Sequence, residues 1–390
     1  MKLPQGHDLA YCTNIHRGET WDEVRRALGA HALAVRDRVA AGRPFGIGLR
    51  LGAVAARELS DRRALRDFQR WLERENCYVF TVNGFPYGQF HGTRVKEQVY
   101  RPDWATVERL EYTKLLFDLM AELTPPGGEG SVSTLPLSFK GFDWTPAERE
   151  ATRRHLLECA AHIEKLVRLS GRDLHLGLEP EPLCTLETSD ELIGFLGEFD
   201  DEFRQRIGMN YDCCHLAIEF EEPGEALSRL RQAGVRLSKF HLSSALRLHP
   251  SAESLARLRE FDEDTYLHQV VVRPGDGGAL RRHVDLPDAL LAVVEGREGG
   301  TPAPGPPDEW RVHFHVPVHA HPDLVFRDTR DHVSGVLDEL AREPGLCRHL
   351  EIETYTWAVL PGGLKQTDVT DQIAAEYAWV LGELAARGLA

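Results

Sequence analysis

Three runs between Asp173 and Ser244 decide the fold: LHLGLEPEP (174–182), IGMNYDCCH (207–215) and VRLSKFHLSS (235–244). Each is short, dense in apolar residues and closed by acid or histidine, the pattern of a parallel strand buried on both faces. Glu179, Asp212, His215 and His241 therefore stand at or just past strand ends. A fourth run, HLEIETYTW (349–357), adds Glu351 and Glu353.

Outward from these runs, short apolar segments alternate with longer amphipathic ones, which predicts an α/β protein: a (β/α)8 TIM barrel. LAYCTNI (9–15), FGIGLRL (45–51), CYVFTVN (77–83) and SVSTLPLSF (131–139) are the earlier strands, and RVHFHVPV (311–318) a later one. Capping boxes at Thr20/Glu23, Thr145/Glu148 and Thr188/Glu191 predict helix starts, and Asp103 is expected to cap the helix carrying Leu116 and Met120. HQVVVR and ALRRHVDL around PGDGG read as a β-hairpin, and GREGGTPAPGPPDE (296–309) as a surface excursion. The expectation is one barrel domain over 1–390 with a hairpin and loop insertion at 262–310. This gives nine strand candidates outside the hairpin where a barrel takes eight, and the surplus is expected between Ser244 and Val318.

A formal charge of −15 disfavours a nucleic-acid partner. The seven cysteines are odd in number and form no C-x-x-C pair, as expected of reduced thiols in a cytoplasmic protein. No apolar run approaches the roughly 18 residues of a membrane span, and no strand is followed by a phosphate-binding glycine loop or a hydrolase elbow.

In a parallel barrel the carboxyl ends of the strands gather on one face. Glu179, Asp212, His241 and Glu353 would meet there as an oxygen and nitrogen ligand set for one divalent ion, with Mn, Zn, Mg, Fe and Co all compatible. Any one of them alone reads more often as a salt-bridge or loop-capping residue than as a functional one. Together they argue for a cation, because several buried carboxylates are costly without one. Glu179 is preferred to Glu181 because Pro180 and Pro182 take the chain out of the sheet, and Glu353 to Glu351 because it lies nearer the strand end. His315 is a secondary ligand candidate on a histidine-rich face with His313 and His319, extended by His321. Cys213 and Cys214 point opposite ways on a strand and read as packing. The long loop 83–104 places Asn83, Tyr87 and His91 as expected substrate-binding residues, with Lys239 beside His241.

These residues resemble a known group. Glu at the end of strand five (LEPEP), D-x-x-H after strand six, KFH on strand seven and EIE on a late strand are similar to the xylose-isomerase-like sugar phosphate isomerases and epimerases, which include endonuclease IV relatives. That resemblance implies a single divalent ion on Glu179, Asp212, His241 and Glu353, with His215 contacting substrate or a further metal. More narrowly, YCTNIH, GIGLRL, TVNGFPYGQFHG, VKEQVYRPDW, STLPLS, NYDCCH, KFHLSSAL, HFHVPV and LEIETYTW resemble the EboE-type TIM-barrel metabolite traffic proteins of bacterial secondary-metabolite clusters, over nearly the full length. The implied partner is a prenyltransferase-like membrane protein of the same pathway.

The expected function is isomerase- or epimerase-type proton transfer on a small polar metabolite, with Glu179 and Glu353 as catalytic groups and His215 on a substrate oxygen. The alternatives are a non-catalytic metabolite carrier and an endonuclease IV-like phosphodiesterase, the last opposed by the negative charge.

Overall fold

The computed structural model describes residues 1–298, 306–320, 325–361 and 368–390. Thirteen strands are present among them: β1 Asp8–Tyr11, β2 Phe45–Arg50, β3 Cys77–Asn83, β4 Glu129–Thr134, β5 Asp173–Leu178, β6 Ile207–Asp212, β7 Leu237–Leu242, β8 Ala245–Leu248, β9 Val270–Arg273, β10 Arg281–His283, β11 Glu309–His315, β12 Arg327–Asp328 and β13 His349–Ile352.

Eight of them form one sheet in the order β1-β13-β7-β6-β5-β4-β3-β2, every pairing parallel. An isolated parallel bridge between Cys12 and Gly48 brings β1 and β2 together, so the sheet is a nearly closed (β/α)8 barrel. Gly48 is required there: a Cβ would lie 1.8 Å from Glu351 Oε1 and 2.7 Å from the Tyr11 carbonyl oxygen. The barrel strands are buried almost throughout, which explains why they read as continuous apolar runs without alternation.

The three expected capping boxes form, opening helices Trp21–Ala27, Pro146–Ser170 and Ser189–Leu196. Asp103 does not cap its helix. Thr106 does, for Val107–Leu123, while Asp103 accepts hydrogen bonds from the Ser138 hydroxyl at 2.6 Å and the Ala105 amide at 3.2 Å. The first strand stops at Tyr11, and Thr13–Ile15 turn as a 3₁₀ helix, leaving Thr13 Oγ1 to accept from the Arg50 amide at 2.8 Å.

The surplus strand has a definite place. RVHFHVPV does not join the barrel; it is β11, the middle strand of a second, antiparallel sheet in the order β10-β9-β11-β8-β12. This sheet has its own core of Leu246, Leu248, Val270, Val272, Trp310, Val312 and Phe314. The expected hairpin is β9 and β10, but the sheet draws on residues from Ala245 to Asp328, on both sides of the 262–310 segment. β11 lies between Ser244 and Val318, where the surplus is expected; a strand buried in a small sheet and one buried in a barrel have the same composition, so composition alone does not single it out. Of the Gly- and Pro-rich run 296–309, residues 299–305 lie outside the described residues, as does His321.

Candidate active site

Asp212 shows how the chain builds the site locally. It ends β6 and is the N-cap of helix Cys213–Ile218, its Oδ1 accepting from the His215 amide at 3.0 Å and the Ser243 hydroxyl at 2.8 Å. The D-x-x-H spacing is thus a capping geometry: one carboxylate oxygen starts the helix and the other is free to face inward. That oxygen, Oδ2, is buried and has no hydrogen-bond partner. Cys213 and Cys214 begin this helix instead of extending the strand. Both are buried, Cys213 in the main core and Cys214 in a small cluster with Ile218 and Ala245.

Donor atoms of Glu179, Asp212, His241 and Glu353 all lie within 4.8 Å of one another, and all four residues are buried. His241 Nδ1 is the focus, 3.0 Å from Glu179 Oε1, 3.1 Å from Glu353 Oε2 and 3.3 Å from Asp212 Oδ2. Its other nitrogen, Nε2, lies 2.9 Å from Glu351 Oε2, which also accepts from Lys239 Nζ at 2.5 Å. A metal-binding histidine ordinarily has its second ring nitrogen anchored in this way. Glu353 is oriented as well: its Oε1 accepts from Asn14 Nδ2 at 2.8 Å and Asn83 Nδ2 at 3.2 Å, which turns Oε2 towards the cluster.

The charge balance tests whether an ion fits. Three buried carboxylates converge on the His241 imidazole here, with His215 and His315 beside them at 4.0 Å from Glu179 and Glu353, while Lys239 is committed to Glu351. Burial opposes a charged His241, but Glu353 and Glu179 outweigh it and raise its basicity well above that of an ordinary imidazole. The Asp212 oxygen that accepts no hydrogen bond, the gathered carboxylates and the oxygen and nitrogen donors fit a divalent cation at Nδ1.

Beside the cluster lies a cavity lined in part by Asn14, Asn83, Glu179, Glu181, His215 and Glu353. His215 is therefore at the cavity, its Nδ1–H donating to the Pro180 carbonyl at 3.0 Å and its Nε2 lying 3.1 Å from His313 Nε2. His315 belongs to a neighbouring donor group with Asp212 and His215; its Nδ1–H donates to the Glu353 carbonyl at 3.1 Å and its Nε2 has no partner. Asn83 reaches the site as expected. Three other expected substrate contacts do not. Tyr87 packs edge-on against Tyr112 and over Arg109, away from the cavity. His91 is locked between the Tyr266 hydroxyl at 2.6 Å and the Asn14 carbonyl at 2.5 Å, as a brace of the loop. Lys239 is wholly buried beneath the cluster of Glu179, Asp212, His241 and Glu353, between Glu351 and Ser133. Loop position alone did not reveal which way these side chains turn.

Other residues arrive unannounced. Glu181 accepts from the Tyr100 hydroxyl at 2.6 Å and lines the cavity, and burial pushes its carboxyl up to about 7. Pro180 and Pro182 do take this segment out of the sheet, and that is what delivers Glu181 to the cavity. His313 comes from β11, so the inserted sheet supplies part of the wall. Asn14 carried no signal beyond its place after the first strand.

Among solved structures, the chain is similar to an L-ribulose 3-epimerase (12% identity, TM-score 0.52, covering 99% of this chain and 96% of that one). It is also similar to a D-allulose 3-epimerase from Methylomonas sp. (12%, 0.51, 98% and 100%) and to the IOLI protein with a bound zinc atom (12%, 0.50, 97% and 99%). At such identity the likeness is one of fold: the chain shares the TIM-barrel architecture of these structures. No protein-family model and no curated protein sequence matches it.

Proposed function

We propose that this protein is a divalent-metal-dependent enzyme of the isomerase or epimerase type, moving a proton at a carbon next to a carbonyl in a small oxygen-bearing metabolite. The observation that carries this reading is the convergence of Glu179, Asp212 and Glu353 on His241 Nδ1, with one Asp212 oxygen accepting no hydrogen bond. The neighbours named as 3-epimerases, and the one named with zinc, agree with it.

Bound there, the ion supplies Lewis acidity towards a substrate carbonyl. The chain's residues do the rest. Glu179 follows β5 and Glu353 follows β13, strands separated by β6 and β7, so the two carboxylates approach from different sides. One takes the proton from carbon, leaving the electron pair in an enediolate, and the other returns a proton to the opposite face. His215 donates from Nε2 to the enediolate oxygen; burial opposes its charged form, but Asp212 and Glu181 outweigh burial and favour it. Elemental analysis should find one divalent ion per chain, and solvent deuterium should enter a bound ketose. Absence of the ion in protein purified and dialysed against each candidate metal would refute the assignment, and binding without exchange would make the protein a carrier.

For the pathway, we propose an EboE-type role in the traffic or maturation of a secondary metabolite, beside a prenyltransferase-like membrane partner. The motifs of that resemblance furnish the cavity: Asn14, Asn83, Phe85, Phe90, Val99 and Tyr100 all come from them. A cytoplasmic site of action agrees with seven free, buried cysteines, and among the described residues no helix is long and apolar enough to cross a membrane. Co-purification of the membrane protein with the tagged chain from the native cells tests the partnership; its absence from crosslinked membranes would count against it.

A further inference from the structure

Away from the ligand cluster the cavity changes character. Its remaining wall includes Phe85, Phe90, Val95, Val99, Tyr266 and Leu267. The hydroxyls of Tyr100 and Tyr266 and the ammonium of Lys96 on that wall are already engaged. The Tyr100 hydroxyl donates to Glu181 and accepts from Gln269 Nε2 at 2.9 Å, and the Tyr266 hydroxyl is bonded to His91. Lys96, which also lines the cavity, has its ammonium 2.7 Å from Asp285 Oδ2 and 3.0 Å from the Glu263 carbonyl. Arg50 stacks on Phe90 but donates to the Gly18 and Gly88 carbonyls at 3.0 and 2.6 Å.

Two consequences follow. A phosphate is recognised by free guanidinium or ammonium groups or by exposed backbone amides, and the Lys and Arg cations at this wall are spent on the protein itself. A polyol with hydroxyls along its whole length would press several of them against hydrocarbon without partners, which is costly, whereas an apolar body would gain by leaving water. We propose that the cavity takes a hydroxycarbonyl head joined to an apolar or aromatic body, without phosphate. The head group rests on the function proposed above; the body rests on the wall alone.

The test uses the full chain loaded with Mn²⁺ and four probes: hydroxyacetone, 2-hydroxyacetophenone, D-fructose and D-fructose 6-phosphate. Calorimetry measures affinity, and NMR in deuterium oxide follows exchange at the carbon next to the carbonyl. The aryl ketone is expected to bind at least about tenfold more tightly than hydroxyacetone, and the phosphate to bring no gain over D-fructose. Val99→Asn, and separately Val95→Asn, should shrink the aryl preference several-fold in protein whose melting curve confirms folding. Equal affinity for the two hydroxyketones, or a tenfold preference for D-fructose 6-phosphate, overturns the ligand class even if exchange is seen and the proton-transfer reading stands. Tight aryl binding with no exchange in any probe supports the ligand class and removes that reading. Failure of all four to bind overturns both.

Discussion

The two poles of the barrel hold the same kinds of residue and treat them oppositely. At the amino pole, Glu129, His175 and His349 bring donor atoms within 4.8 Å of one another, much as the ligand cluster does at the carboxyl pole. There the chain supplies its own cations. Glu129 Oε1 lies 2.9 Å from His175 Nε2 and 3.1 Å from Arg236 Nη2, and Arg236 and Arg206 also hold Asp173 at 2.6 and 2.7 Å. Burial raises the Glu129 carboxyl, but His175, His349 and Arg236 outweigh it and hold it far below the ordinary range. At the carboxyl pole Glu179, Asp212 and Glu353 gather on His241, with the imidazoles of His215 and His315 beside them and, among the described residues, no arginine in the donor group. A donor cluster argues for an ion only where the protein leaves its charge unbalanced.

The largest expected difference between the poles is catalytic. Glu179→Gln should lower substrate deuterium exchange about 10²- to 10⁴-fold, while Glu129→Gln leaves the rate unchanged. Equal losses in both, measured on protein with unaltered circular dichroism, would erase the distinction.

Next comes the support under the carboxyl pole. Lys239→Met leaves Glu351 buried without its cation and should cost about 3–5 kcal/mol in urea unfolding. A loss below 1 kcal/mol would mean that His241 alone suffices for Glu351.

A third difference is in pH response. Glu376 accepts from the Thr354 hydroxyl at 2.7 Å, next to Glu353, and burial pushes its carboxyl up to about 7. Because the folded value exceeds the unfolded one, the folded chain holds more protons between the two. Stability should therefore fall as pH rises from about 4.5 to about 7, by up to about 3 kcal/mol, and Glu376 adds no slope above that window. Glu376→Gln should flatten this decline in guanidinium unfolding measured at pH 5 and pH 8.

The smallest expected effect is on metal-linked stability. Mn²⁺ at 100 times its dissociation constant should stabilise the protein by about 2.7 kcal/mol over a chelated sample. Asp212→Asn should abolish that increment and Glu129→Gln should keep it, as differential scanning calorimetry can show.

Legibility in the sequence followed the physics of each feature. Seven of the eight barrel strands stand in continuous apolar runs before Ser244, and the eighth follows as HLEIETYTW; the proposed ligand residues sit at their ends, where a parallel barrel places its chemistry. Helix starts at Thr20, Thr145 and Thr188 are legible because a capping box is a contact over three residues. Asp103 misled because it sits three residues before the real cap, in a segment where its carboxylate finds Ser138 instead. Tyr87 and His91 were placed by loop membership alone, and a loop's side chains are oriented by what packs against them, here Arg109, Tyr112 and Tyr266.

By itself the sequence determined where the barrel strands lie, their apolar character and the acids and histidines at their ends, because strands buried on both faces read as continuous apolar runs and a cap is a spacing of three residues. Only the tertiary structure decided that β11 belongs to a second sheet, that His313 enters the cavity wall, and that Lys239 braces Glu351 from below. Those outcomes depend on hydrogen-bond partners from distant parts of the chain, and a strand's own residues do not record which edge it will join.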